Sequence, residues 1–173
     1  MAADLDLLAR VQRLEDIEAI KQLKHRYFRS IDMADIETLA TLFTEDVEVD
    51  YRGASYHWQV QGRDNLVAAV AEAFNAQVIA CHTGHHPEIA VTAPDAAEGL
   101  WYLTDTMVDF ARGVTTAGSA LYRDAYVKVG GEWRIRRTTY RRIYEQVETF
   151  SDPPNITFSH LAIFGRSNGE TGA

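Results

Sequence analysis

The sequence has a single cysteine, Cys81, among 173 residues. One thiol excludes an intramolecular disulfide and any Cys-rich zinc or iron–sulfur site, and a reducing cytoplasm is the expected compartment. Long apolar runs are missing too. The N-terminal stretch MAADLDLLARVQRLEDIEAI has acids interrupting every apolar run, so it reads as neither a signal peptide nor a membrane span. Positive charge is scarce, with 17 Lys and Arg against 25 Asp and Glu and a net charge of -8. Such a chain is poorly suited to nucleic acid, whose phosphates need a positive surface, and it has no basic face for a membrane. The patterns GxGxxG, GxxxxGK[ST] and GxSxG are absent, which leaves no sequence case for a nucleotide cofactor or a serine hydrolase. No cofactor is expected.

Hydrophobic residues make up 46% of the chain and charged ones 24%, an ordinary globular balance. The length suits one domain with a real core. We place that domain at residues 1–150, followed by a partly apolar tail at 151–173 expected to dock over a pocket or a neighbouring subunit.

Leu14, Ile17, Ile20, Leu23, Tyr27 and Ile31 recur at spacings of three and four, one face of a long helix. Asp35 reads as the N-cap of a short second helix. The period then becomes two. Val47, Val49 and Tyr51 alternate with acids, and Tyr56, Trp58 and Val60 follow beyond Gly53, predicting a hairpin. Residues 62–76 return to helix. Strands are predicted at 85–91, 98–110, 119–129 and 132–148, with Gly130-Gly131 as a tight turn. The expected fold class is α+β: a curved antiparallel sheet with helices packed on one face, forming a cone-shaped barrel with a small-molecule pocket inside.

Three residues form a proton-transfer set: the phenol of Tyr27, the carboxylate of Asp32 and the imidazole of His82. Asp32 closes the first long helix at the negative end of its dipole, where a carboxylate is mildly unfavourable. A histidine is the side chain best suited to proton transfer near neutral pH. Asp105 shares a strand face with Trp101, Leu103 and Met107, and a charge on an apolar face is costly unless paired or functional. By the same alternation Arg141 shares a face with Trp133, Ile135, Arg137 and Ile143, so Arg141, Asp105, Trp101, Tyr51 and Tyr122 are the candidate substrate contacts. His85 and His86 follow His82, but adjacent strand residues point to opposite faces, and no metal site is expected.

The stretches LEDIEAIKQLKHRYFRSIDMADIETLATLFTEDVEVDY, CHTGHHPEIAV and YRDAYVKVGGEWRIRRTTYRRIY, spread over roughly residues 10–145, resemble the SnoaL-like branch of the nuclear transport factor 2-like superfamily. Relatives there include scytalone dehydratase, bile-acid 7α-dehydratase, hexachlorocyclohexane dehydrochlorinase, polyketide cyclases and small subunits of ring-hydroxylating dioxygenases. The resemblance implies a cofactor-independent lyase in which His82 is the general base, Asp32 orients it and Tyr27 assists. Its substrate would be a small hydrophobic cyclic or aromatic molecule, and the reaction a dehydratase-type elimination, an isomerisation or a C–C cleavage. It also implies a homodimer or homotrimer. The alternative is a non-catalytic binding or assembly module, or the small subunit of a ring-hydroxylating dioxygenase.

Overall fold

The computed structural model describes residues 2–54 and 56–165, with side chains from residue 6 onward. The chain runs α1 (Ala2–Asp32), α2 (Ile36–Thr41), β1 (Phe43–Arg52), β2 (His57–Gln61), α3 (Arg63–Ala73), β3 (Val78–Ala93), β4 (Ala96–Asp109), β5 (Val114–Val129), β6 (Glu132–Thr149) and α4 (His160–Phe164). The strands form one sheet in the order β2-β1-β6-β5-β4-β3. All neighbours are antiparallel except β1 and β6, which run parallel. The fold is α+β with a curved sheet, as expected, and the sheet is unclosed, with β2 and β3 at its edges.

The core lies between the inner sheet face and the helices. Ile20, Leu23, Tyr27 and Ile31 of α1 are buried, as are Leu39 of α2 and Leu66 and Val70 of α3. Leu14 departs from expectation. With Leu7, Leu8 and Val11 it stays exposed on the first turns of α1, where no described element covers the apolar face. Asp16 marks where packing begins. Its carboxylate accepts from Lys128 Nζ at 2.7 Å and Trp133 Nε1 at 2.9 Å, tying α1 to the β5–β6 hairpin.

The turn after α1 sets the position of Asp32. Asp35 N–H donates to Ser30 O and Ala34 N–H to Ile31 O, a Schellman-type ending. Ala34 takes the left-handed position with φ 48°, and Asp35 then caps α2 through Thr38 N–H at 3.1 Å. A Cβ in that conformation costs roughly 1 kcal/mol. Ala34→Gly is therefore expected to stabilise the protein by about 0.5–1 kcal/mol, read as a rise in the urea midpoint at unchanged slope.

Strand β3 begins at Val78, seven residues before the predicted start, so His82 sits inside a strand rather than before one. Of the tail, Leu161 in α4 is buried, whereas Phe158, Ile163 and Phe164 are exposed. Its polar end, residues 166–173, lies outside the described residues.

Candidate active site

The inner sheet face and the helices enclose a cavity of about 580 Å³. Its walls are mostly apolar and aromatic, including Ile31, Phe43, Trp58, Leu66, Val70, Phe74 and Leu103. His82, Asp105, Tyr27, Tyr51, Tyr56, Tyr122, Tyr140, Arg142 and Glu145 bring polar groups to it.

Asp32, at the end of α1, reaches β3 and makes two bonds there. Its Oδ1 lies 2.6 Å from His82 Nδ1, and its Oδ2 accepts the His82 backbone N–H at 2.9 Å. A carboxylate fixed on both oxygens holds the imidazole ring in one orientation. Nε2, the other ring nitrogen, has no hydrogen-bond partner among the described residues, and the side chain lines the cavity. Phe28 stacks beside this ring at 6.3 Å between centroids. Gly84, two residues beyond His82 in β3, makes room for it, since a Cβ there would stand 2.0 Å from the Phe28 ring. The glycine thus permits the close α1–β3 packing that brings Asp32 to His82.

Asp105 lies directly across from His82 in the β3–β4 register. It receives a two-pronged bond from Arg142, Nη1–Oδ1 at 2.5 Å and Nη2–Oδ2 at 2.8 Å. Burial opposes the charge on Arg142, and the bonds from Asp105 outweigh it, so the guanidinium is held protonated. Arg142 crosses β5 to reach β4. The β5 residue opposite Asp105 is Gly118, where a Cβ would stand 3.2 Å from Arg142 Nη1 and 2.5 Å from Tyr144 O.

The tyrosines form a connected hydroxyl chain. Tyr27 Oη lies 2.7 Å from Tyr51 Oη, which lies 3.2 Å from Thr138 Oγ1. Burial pushes Tyr27 up to about 12, and pushes Tyr51 and Tyr122 well above the usual phenol range. All three are neutral hydrogen-bonding groups at working pH. A phenol with a raised folded-state pKa contributes stability that is fully present below pH 10 and lost as pH rises towards 12. Wild-type stability is expected to fall over pH 10–12, and Tyr27→Phe to flatten part of that fall in urea titrations.

Two predicted contacts lie elsewhere. Trp101 is fully buried in the core, its indole N–H donating to Tyr126 Oη at 3.0 Å, and it does not line the cavity. Arg141 is on the outer face, 60% exposed and 3.6 Å from Asp50. Strict alternation fails on β6 because of two irregularities. Ala125 and Tyr126 face Arg137 and Ile135, and Ser119 and Ala120 face Tyr144 and Arg142, so Arg136 and Ile143 are extra residues. Each extra residue reverses which side chains face inward. The inward series is Trp133, Ile135, Thr138, Tyr140, Arg142 and Glu145, and Arg142 takes the place expected of Arg141. Neither Arg142 nor Tyr56 is singled out by the sequence. The one available signal was the charge of Arg142 within a strand rich in aromatics, which alternation had assigned to the wrong face.

His85 and His86 also differ from expectation. His86 adopts φ 50° beside a register shift in β3, and the two Nδ1 atoms stand 2.7 Å apart. Among the described residues no group of three or more His, Cys, Asp or Glu side chains is arranged to hold a metal ion. A larger depression of about 800 Å³ on the outer face, lined by Asp50, Glu88, Glu98, Arg123, Arg137 and Arg141, contains none of Tyr27, Asp32 and His82. No described helix is long and apolar enough to cross a membrane.

A family model for the SnoaL-like domain matches residues 12–139. The chain belongs to the SnoaL-like family. Solved structures agree with this SnoaL-like protein in fold. A hexachlorocyclohexane dehydrochlorinase, LinA-type3 from Novosphingobium barchaimii, superposes with a TM-score of 0.71 at 18% identity, covering 83% of this chain and 99% of that one. A Novosphingobium aromaticivorans protein provisionally named scytalone dehydratase gives 0.70 at 23% identity over 79% and 90%. A nuclear transport factor 2-like protein with a cystatin-like fold, from the same organism, gives 0.66 at 24% over 79% and 88%.

Proposed function

We propose that this SnoaL-like protein is a cofactor-independent lyase acting on a small hydrophobic cyclic or aromatic molecule. The observation that carries this reading is the His82 imidazole, fixed through Nδ1 by Asp32, in the wall of a mainly apolar cavity. In an elimination His82 Nε2 takes a proton from a substrate carbon, and Asp32 stabilises the imidazolium that forms. Tyr27 holds a substrate oxygen. Arg142, held by Asp105 on the strand next to His82, brings guanidinium N–H donors to the same cavity. A positioned base of this kind contributes ~10²–10⁴-fold, and donors set in a dry cavity add to it. Dehydration suits the set best; ring isomerisation or C–C cleavage would use the same base and acid.

The proposed setting is cytoplasmic catabolism of aromatic compounds by a homodimer or homotrimer. Exposed Phe158, Ile163, Phe164, Ile143 and Val147 supply apolar surface for such contacts. The function is tested by a melting-temperature screen against hydroxylated aromatics, steroids and polyketide-like rings, with mass spectrometry of each hit. The expected result is a ring that raises the melting temperature and is converted to a product lighter by water. Stabilising rings that stay chemically unchanged, by mass and by chromatography, would point instead to a binding module.

A further inference from the structure

Beyond the His82–Asp32 pair, the cavity has a second cluster with the makings of an acid. Tyr56 follows β1 in the loop to β2, and its ring folds back against Gly53, where a Cβ would stand 2.4 Å from it. Its hydroxyl lies 2.5 Å from Tyr140 Oη and accepts Arg142 Nε–H at 3.0 Å. A guanidinium can only donate, so one lone pair of Tyr56 Oη is occupied by Arg142. The two phenols share one hydrogen bond, and the second of their protons has no partner among the described residues. Tyr140 stacks on Tyr51 at 4.3 Å, and burial, then its bond to Tyr56, push its pKa up. Either oxygen can donate in that bond, and only Tyr56 also accepts from Arg142; with Tyr140 donating to it, the Tyr56 proton is free for the cavity that both rings line.

This distinguishes Tyr56 from Tyr27. The Tyr27 oxygen bonds another phenol, and no cation among the described residues bonds it. Loss of a proton from Tyr56 would leave an oxygen already facing a guanidinium N–H and a phenol O–H, and charge-assisted bonds of this kind are about twice as strong as neutral ones.

Resting on the lyase reading above, we propose that Tyr56 is the proton donor to the departing oxygen of the substrate, with Arg142 and Tyr140 holding the phenolate left behind. The step balances. His82 Nε2 takes the C–H proton, that electron pair becomes the new C=C bond, and the C–O bond breaks. The oxygen leaves as water with the Tyr56 proton, and the imidazolium proton returns to Tyr56 through solvent. The substrate thus carries a hydroxyl as leaving group on a ring carbon next to an acidified C–H.

The test uses two probes of one ring shape, 3-hydroxy-1-tetralone and its 3-acetoxy ester, both of which eliminate to 1-naphthol. Acetate leaves without a proton, whereas hydroxide does not. Tyr56→Phe is expected to lose about 100-fold in kcat on the alcohol and less than tenfold on the ester, while His82→Ala loses both. Equal losses, or none, in Tyr56→Phe with His82→Ala inactive would overturn the assignment of Tyr56 alone. Activity of His82→Ala on both probes would overturn the lyase reading itself. If wild type converts neither probe, binding decides: Tyr56→Phe should bind the alcohol about five- to tenfold more weakly than wild type, and equal affinities or no binding by wild type would overturn the proposal.

Discussion

His82→Ala is expected to lower turnover by at least ~10²–10⁴-fold while leaving the melting temperature within a few degrees of wild type. The side chain is half-buried at a cavity wall, so its removal enlarges a space that already exists rather than opening a void in the core. Asp32→Asn is expected to be nearly as damaging. An amide can still accept the His82 backbone N–H, so the α1–β3 contact survives. It cannot stabilise an imidazolium as a carboxylate does, and its NH2 can press the ring into the wrong tautomer. Loss of activity without loss of fold is the signature that separates a proton-transfer pair from a structural one. Full activity in both variants would rule out the mechanism.

The largest effect on stability is expected at Lys24. Its ammonium is fully buried, 2.8 Å from the equally buried Asp124 Oδ2, and it sits 3.8 Å from the centre of the Tyr122 ring and 4.5 Å from that of Tyr27. Burial pulls the lysine pKa down, and Asp124 opposes it. Asp124 also accepts from Tyr126 Oη at 2.8 Å, and Tyr126 from Trp101, so the pair anchors a buried polar network beneath the cavity floor. Lys24→Met keeps the volume and leaves a buried carboxylate without its cation, at a cost of about 3–5 kcal/mol. In a chain of this length that lowers the melting temperature by roughly 6–20 °C. Lys24→Met combined with Asp124→Leu is expected to recover much of the loss, because replacing both charges removes the uncompensated one. A double variant no more stable than Lys24→Met alone would show that packing, not charge, is at stake.

What could be read from the sequence follows from what local rules control. The α1 stripe from Ile20 to Ile31, the Asp35 cap and the Gly130-Gly131 turn depend on nearby residues, and each occurs as expected. The meeting of Asp32 with His82 across fifty residues depends on a close helix–strand approach. Only the resemblance to SnoaL-like proteins suggested it in advance; in the structure Gly84 makes room for it. Alternation assigns Arg141 to the wrong face because it counts residues, and the extra residue Arg136 reverses the faces before Arg141 is reached. Trp101 shares a face with Asp105, but it lies earlier in β4, where that face meets the core. Alternation puts Tyr56 in a strand with Trp58 and Val60, whereas it lies in the loop before β2, and its partners come from a strand more than eighty residues away.

The central claim is that His82 removes a proton from a bound ring. The most direct measurement is product analysis by mass spectrometry and chromatography for wild type and His82→Ala on every ring that raises the melting temperature of both. The expected result is conversion by wild type, with loss of water, loss of a small carbon fragment or isomerisation, and intact ring from the variant that still binds it. Conversion by His82→Ala at the wild-type rate would contradict the claim.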